Sequence, residues 1–221
     1  MKIKAIAFGL MISITGCTST ENKEISATQT NQSGFLSSYN QLKEVNADDD
    51  SNLVRYIKPG LKGAGYNNFI LEPVSFYPKL AATDTISKQV LNEISSYANK
   101  AIAESIKSSA NLVTQAGPNT ARLKVAISSV EVSDKELSAL QYIPIAFLVT
   151  AASGKLNDVN AQLRVEAELV DSQSGEVLMQ AVKSGVGEVM DNDKTALTLD
   201  KLAPLLDKWS ETLKSTIINE M

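Results

Sequence analysis

The sequence predicts an α+β domain: a sheet of about four mostly antiparallel strands, with a long helix and a C-terminal helix packed on one face. Three observations carry that expectation. Residues 84–113 repeat apolar side chains at intervals of three and four. Residues 161–170 alternate strictly between apolar and polar. Residues 202–217 return to the helical interval. With the strands between them, the order reads strand, helix, strand, strand, strand, helix. A sheet with both helices on one face satisfies it.

The chain opens on Met1-Lys2-Ile3-Lys4, which carries two positive charges, and continues from Ala5 to Ile14 without a charge. A basic start, a short apolar run and small residues at its end are the pattern of a signal peptide. The run is about ten residues long, against the roughly 20 needed to span a bilayer as a helix. The single cysteine of the chain, Cys17, follows it in Ile14-Thr15-Gly16-Cys17. This tetrapeptide resembles the lipobox of bacterial lipoproteins. The resemblance implies cleavage between Gly16 and Cys17, diacylglycerol on the Cys17 thiol and a third acyl chain on its new amino group. Three chains anchor far more firmly than one, which holds only marginally. Thr18, where an Asp would favour the inner membrane in that family, implies the outer membrane, with the domain facing the periplasm.

Thr18 to Ser33 is rich in Ser, Thr, Asn and Gln and too poor in apolar residues to fold by itself. As a flexible tether of about 16 residues it reaches on the order of 20 Å. The expected division is therefore 1–16 signal peptide, 17–33 lipidated cysteine and tether, and 34–221 a single α+β domain, with Gly34-Phe35-Leu36 at its start.

Asn68–Phe76 reads as a strand, with Pro73 marking an edge or a bulge. The helix of 84–113 carries Val90, Leu91, Ile94, Ala98, Ile102 and Ile106 on one stripe, with Thr83 or Asp84 as its cap and Gly117-Pro118 beyond its end. Arg122–Val132 alternates, with Leu123, Val125 and Ile127 on one side and Arg122, Lys124 and Ser128 on the other. In 161–170, Ala161, Leu163, Val165, Ala167 and Leu169 are expected to face the core. Gln162, Arg164, Glu166 and Glu168 are expected on a wet face. The turn "DSQSGE" at 171–176 makes a hairpin with the strand Val177–Val186. The last helix shows Leu202, Leu205, Leu206, Trp209, Leu213 and Ile217, with Pro204 tolerated at its start.

Several separated blocks resemble one family: "SGFLSSYNQLKEV" (33–45), "RYIKP" (55–59), "AGPNTARLKVAISSV" (116–130) and "VEAELVDSQSGEVLMQAV" (165–182). They are similar to bacterial lipoproteins grouped as domain of unknown function 3313. The family implies no activity and no catalytic residues to carry over.

Composition excludes much chemistry. The chain has no histidine, so Ser–His–Asp and Cys–His arrangements are impossible. With its one cysteine expected to be acylated, the usual transition-metal ligands are missing too, and no metal or cofactor is expected. Asp48-Asp49-Asp50 lacks the spacing of a calcium loop and reads as solvated. Removal of Lys2 and Lys4 with the signal leaves 19 basic against 25 acidic residues, a net charge near −6. That speaks against a nucleic-acid partner. Glu166 and Glu168 could in principle act on a glycosidic bond; beside Arg164 they read more plainly as a solvated face.

Two other features could recognise a partner. Tyr142 to Ala152 is eleven residues without a charge. Tyr142, Ile143, Pro144, Ile145, Phe147 and Leu148 are its candidate contacts with a protein or a lipid, and burial in the core is the plainer reading. Arg55-Tyr56 could recognise an anionic group, though such a pair more often packs at a domain surface.

The function expected from sequence is that of a non-enzymatic, acyl-anchored lipoprotein. It would bind or support another periplasmic or outer-membrane component, held to the membrane through the lipid on Cys17. The alternatives are a binder of a small apolar or lipid ligand between sheet and helices, and a histidine-free enzyme acting on cell-wall glycan.

Overall fold

The computed structural model describes residues 32–47, 51–133 and 159–221. Cys17 and Gly16, the Asp48–Asp50 cluster, and the Tyr142, Ile143, Pro144, Ile145, Phe147 and Leu148 run lie outside the described residues.

The sheet has eight strands and is mixed, which corrects the expected four mostly antiparallel ones. In chain order they are β1 (Lys43–Val45), β2 (Asn52–Ile57), β3 (Asn68–Leu71), β4 (Ser75–Phe76), β5 (Asn111–Leu112), β6 (Thr120–Ser133), β7 (Val159–Asp171) and β8 (Val177–Met190). Helix α1 (Lys88–Ser109) lies between β4 and β5, and α2 (Ala203–Glu220) closes the chain after a short 3₁₀ turn at Leu199–Lys201. The spatial order is β1-β2-β8-β7-β6-β3-β5, with β4 also on β6. Three long antiparallel strands, β6, β7 and β8, form the centre, joined at β8 to β2. β3 and β4 run parallel to β6 along its other side, and β5 runs parallel to β3.

The additional strands have a common cause. They are two to six residues long, too short to show a period; β2 and β4 add to the long strands β8 and β6, while β1 and β5 add in turn to the short strands β2 and β3. The expected strand 68–76 is two strands, because Pro73 lacks an N–H for the ladder. The first helix is shorter than its apolar stripe suggests. Ser87 caps it, accepting from Val90 N–H at 3.1 Å, and Thr83 takes the Ile86 N–H in the turn before. Its far end stops at Ala110, where the chain turns extended into β5.

Both helices pack on the same face of the sheet. Ile94 and Ala98 of α1, with Leu206 and Trp209 of α2, share one cluster with Ile127, Val130 and Leu163 of the sheet. Two glycines of β8 let the start of α2 come close. A Cβ on Gly187 would stand 2.3 Å from the Lys201 carbonyl oxygen, and one on Gly185 would stand 2.9 Å from the Trp209 ring. Trp209 is further held by its indole N–H, which donates to Ser51 Oγ at 2.8 Å.

The opposite face is not wet, which corrects a second expectation. Gln162, Arg164, Glu166 and Glu168 point away from the helices as the alternation requires, yet all four are buried, Glu166 completely. Residues 33–42 lie over this face. Leu36 joins Val54 and Val182 in a small apolar cluster, flanked by Phe35, Tyr39 and Leu42. The Ser37 N–H and hydroxyl donate to Glu168, and the Tyr39 hydroxyl donates to Glu166. A polar face can be buried when its groups find partners, and both carboxylates find donors in their own chain, although Glu166 Oε1 accepts no hydrogen bond among the described residues.

Candidate binding cavity

Registers across the central strands arrange the helix-facing side chains in three rows. The first is Leu53, Lys183, Val165 and Ile127; the second is Arg55, Ala181, Ala167 and Val125; the third is Ile57, Met179, Leu169 and Leu123. The flanking rows carry large side chains. The middle row has two adjacent alanines at the centre of the sheet. The facing helix positions Ala98 and Ala101 are small as well. Small residues below and above leave a gap that the helices cannot close, because the glycine contacts of β8 pin α2 at one end only.

The gap is a cavity of about 170 Å³. Its floor is the three rows; its roof is Ala98, Ala101 and Ile102 of α1 with Leu206, Trp209, Leu213 and Ile217 of α2. The volume is close to the roughly 150 Å³ of an apolar cavity that stays dry and takes up benzene. The mouth lies where the lining is half-buried, at Leu53, Arg55, Met179 and Ala181 on the sheet and at Thr212, Leu213 and Thr216 on α2. The burial pattern of β7 is thus inverted at its centre. Val165 and Ala167, on the helix side, are only partly buried, while Glu166 and Glu168, on the other, are fully buried.

Two charged side chains line the cavity, and both are cations: Arg55 and Lys183. Arg55 carries the middle row to the mouth, with Lys43 of β1 as its neighbour on the outer side. Lys183 stands one row away on the neighbouring strand, diagonal to it, with Nζ 5.5 Å from the centroid of the Trp209 ring. The separation suits a cation on an aromatic face. No Asp or Glu side chain lines the cavity.

The carboxylates sit on the far face of the sheet. Burial pushes the Glu168 carboxyl up, but the Ser37 hydroxyl and N–H, the Gln180 amide at 2.8 Å and Lys124 at 3.7 Å together hold it below its ordinary value. Burial raises Glu131, against the opposing pull of the Ser129 hydroxyl and the Arg164 charge. Arg164 Nε lies 3.9 Å from Glu166. These groups are engaged with their own chain. A glycan-cleaving pair must face its substrate across an open site, and Glu166 and Glu168 face the segment 33–39.

Of the residues that the sequence singled out, Arg55 reaches the cavity, while Tyr56 points to the opposite face. Ala167, Ala181 and Lys183 were not singled out. Their signal was present: Ala167 and Ala181 pair across the hairpin closed by "DSQSGE", so two small residues meet where the core ought to be bulkiest. Among the described residues, no helix is long and apolar enough to cross a membrane.

A family model described as "Protein of unknown function (DUF3313)" matches residues 31–213. The "Uncharacterized lipoprotein YdcL" of Escherichia coli strain K12 is 26% identical over 208 residues, covering 92% of this chain and 90% of that protein. Among solved structures, the PelC dodecamer from Paraburkholderia phytofirmans aligns with a TM-score of 0.43 at 9% identity, over 77% of this chain and 99% of that one. Protein XCC0632 from Xanthomonas campestris aligns with a TM-score of 0.42 at 9% identity, over 73% and 90%.

Proposed function

We propose that this chain, which belongs to the DUF3313 family of proteins of unknown function, is an acyl-anchored envelope lipoprotein whose domain binds a small apolar ligand. The anchor rests on the basic start, the short apolar run and Ile14-Thr15-Gly16-Cys17. The YdcL relative, named a lipoprotein, supports it over nearly the whole chain. In this reading Cys17 carries the lipid and the protein sits on the outer membrane, facing the periplasm. Cys17→Ser is then expected to abolish incorporation of labelled palmitate; equal labelling of variant and parent would refute the anchor.

One observation carries the binding role: an apolar cavity opens between the sheet and α2, in the middle of a domain that buries its polar face instead. Its lining supports binding rather than acid–base chemistry, since its side chains are mostly hydrocarbon, with three hydroxyls, two cations and no Asp or Glu. A neutral alkyl probe such as 1-decanol is expected to raise the melting temperature, and to raise it further with concentration, because a ligand of the folded state alone stabilises by mass action. A melting temperature unchanged up to the solubility of decanol would contradict the reading.

A further inference from the structure

We infer that the ligand is an anionic single-chain amphiphile, a fatty-acid-type carboxylate whose alkyl tail fills the cavity and whose head meets Arg55. This rests on the apolar-binding reading above and adds the headgroup to it. Three features point the same way.

The first is charge. The expected mature chain is acidic, near −6, yet the charged side chains lining the cavity are two cations, with no Asp or Glu among them. Among the described residues Arg55 has no salt-bridge partner. A guanidinium presents a planar fork of donors that matches a carboxylate, and an exposed apolar residue would have served equally well at a mouth meant for a neutral ligand.

The second is position. Arg55 stands in the row that runs outward to Lys43 of β1 and inward through Ala181 and Ala167. A straight chain lying along that row passes from the guanidinium over the two alanines, under Ala98 and Ala101. Diagonal neighbours on adjacent strands stand roughly 7–8 Å apart, so Lys183 lies close enough to add its field at the same end.

The third is size. About 170 Å³ takes the end of one alkyl chain. It is close to the roughly 150 Å³ of an apolar cavity that takes up one benzene, which suits a single slender tail.

The test uses the full mature chain with Cys17→Ser, so that no acyl group of its own competes. Trp209 lines the cavity, and its emission reports occupancy. Decanoate and 1-decanol are titrated below micelle formation at pH 8, into the parent and into Arg55→Gln. Arg55 is half-buried on the short strand β2, so the variant is expected to fold, and its melting curve is recorded alongside. The expected result is that decanoate binds the parent more tightly than decanol. Arg55→Gln should weaken decanoate on the order of tenfold or more while leaving decanol within about twofold, as loss of a charge-assisted bond requires. Equal affinities in the parent, or equal weakening of both probes in the variant, would overturn the anionic headgroup and leave the apolar site standing. Binding of neither probe would overturn both.

Discussion

Glu168 shows how single groups hold the far face of this sheet together. Its carboxyl is buried, yet it is held below its ordinary value because Ser37, Gln180 and Lys124 stabilise the charge more than burial penalises it. A carboxylate depressed on folding contributes stability that is complete above its unfolded value of about 4 and is lost as pH falls through the folded one. Glu131 has the opposite sign. It is raised by burial, so its contribution is fully present below its unfolded value and is lost as pH rises through the raised folded one. Glu168→Gln is therefore expected to melt well below the parent at pH 7, and the gap should narrow at pH 3. Thermal melts of both proteins at the two pH values check this; a gap of the same size at pH 3 would show that the charge of Glu168 is not what its partners stabilise.

Among the elements, the segment 33–42 has no regular structure ahead of β1, but it covers one face of the domain. It buries Leu36 and supplies Ser37 and Tyr39 to Glu168 and Glu166. Starting the chain at Lys43 would expose an apolar cluster and leave two buried carboxylates short of donors. Burial of one Leu is worth about 1.5–3 kcal/mol, and a hydrogen bond to a charged group contributes about 1.5–3 kcal/mol. A chain beginning at Lys43 is expected to lose at least about 3 kcal/mol in denaturant unfolding relative to one beginning at Ser33. Equal midpoints would mean that the far face is held without this segment. The contrast explains which elements were legible in the sequence. α1, α2, β6, β7 and β8 are long enough to display a period, and all appear where the pattern put them, to within a few residues. β2 reads Asn-Leu-Val-Arg-Tyr-Ile, apolar on both sides, because Leu53 faces the cavity and Val54 the segment 33–42; no alternation survives. The wet face assigned to β7 failed for a related reason. Its polar residues alternate as solvated ones do, and what buries them is a partner more than a hundred residues away in the chain.

For the whole molecule, the two faces of one sheet have exchanged their usual roles. The polar face is dry and internally bonded, and the apolar face keeps an opening under its helices. The cavity was only partly legible. The inward alternation of Val165, Ala167 and Leu169 is plain in the sequence, and Arg55 stands out as a candidate anion receptor. That Ala167 and Ala181 lie side by side under α1, with Arg55 next in their row, depends on registers across three strands and on the glycines that fix α2. The most direct test of the apolar site is to fill it. Ala181→Leu places three more carbons on the floor of the cavity, where open space receives them without the overpacking penalty of a closed core. Trp209 emission is followed while 1-decanol is titrated into the parent and into Ala181→Leu. The expected result is a saturable change in the parent and none in the variant, with the variant melting no lower than the parent; the same saturable change in both proteins would contradict a ligand site above Ala181.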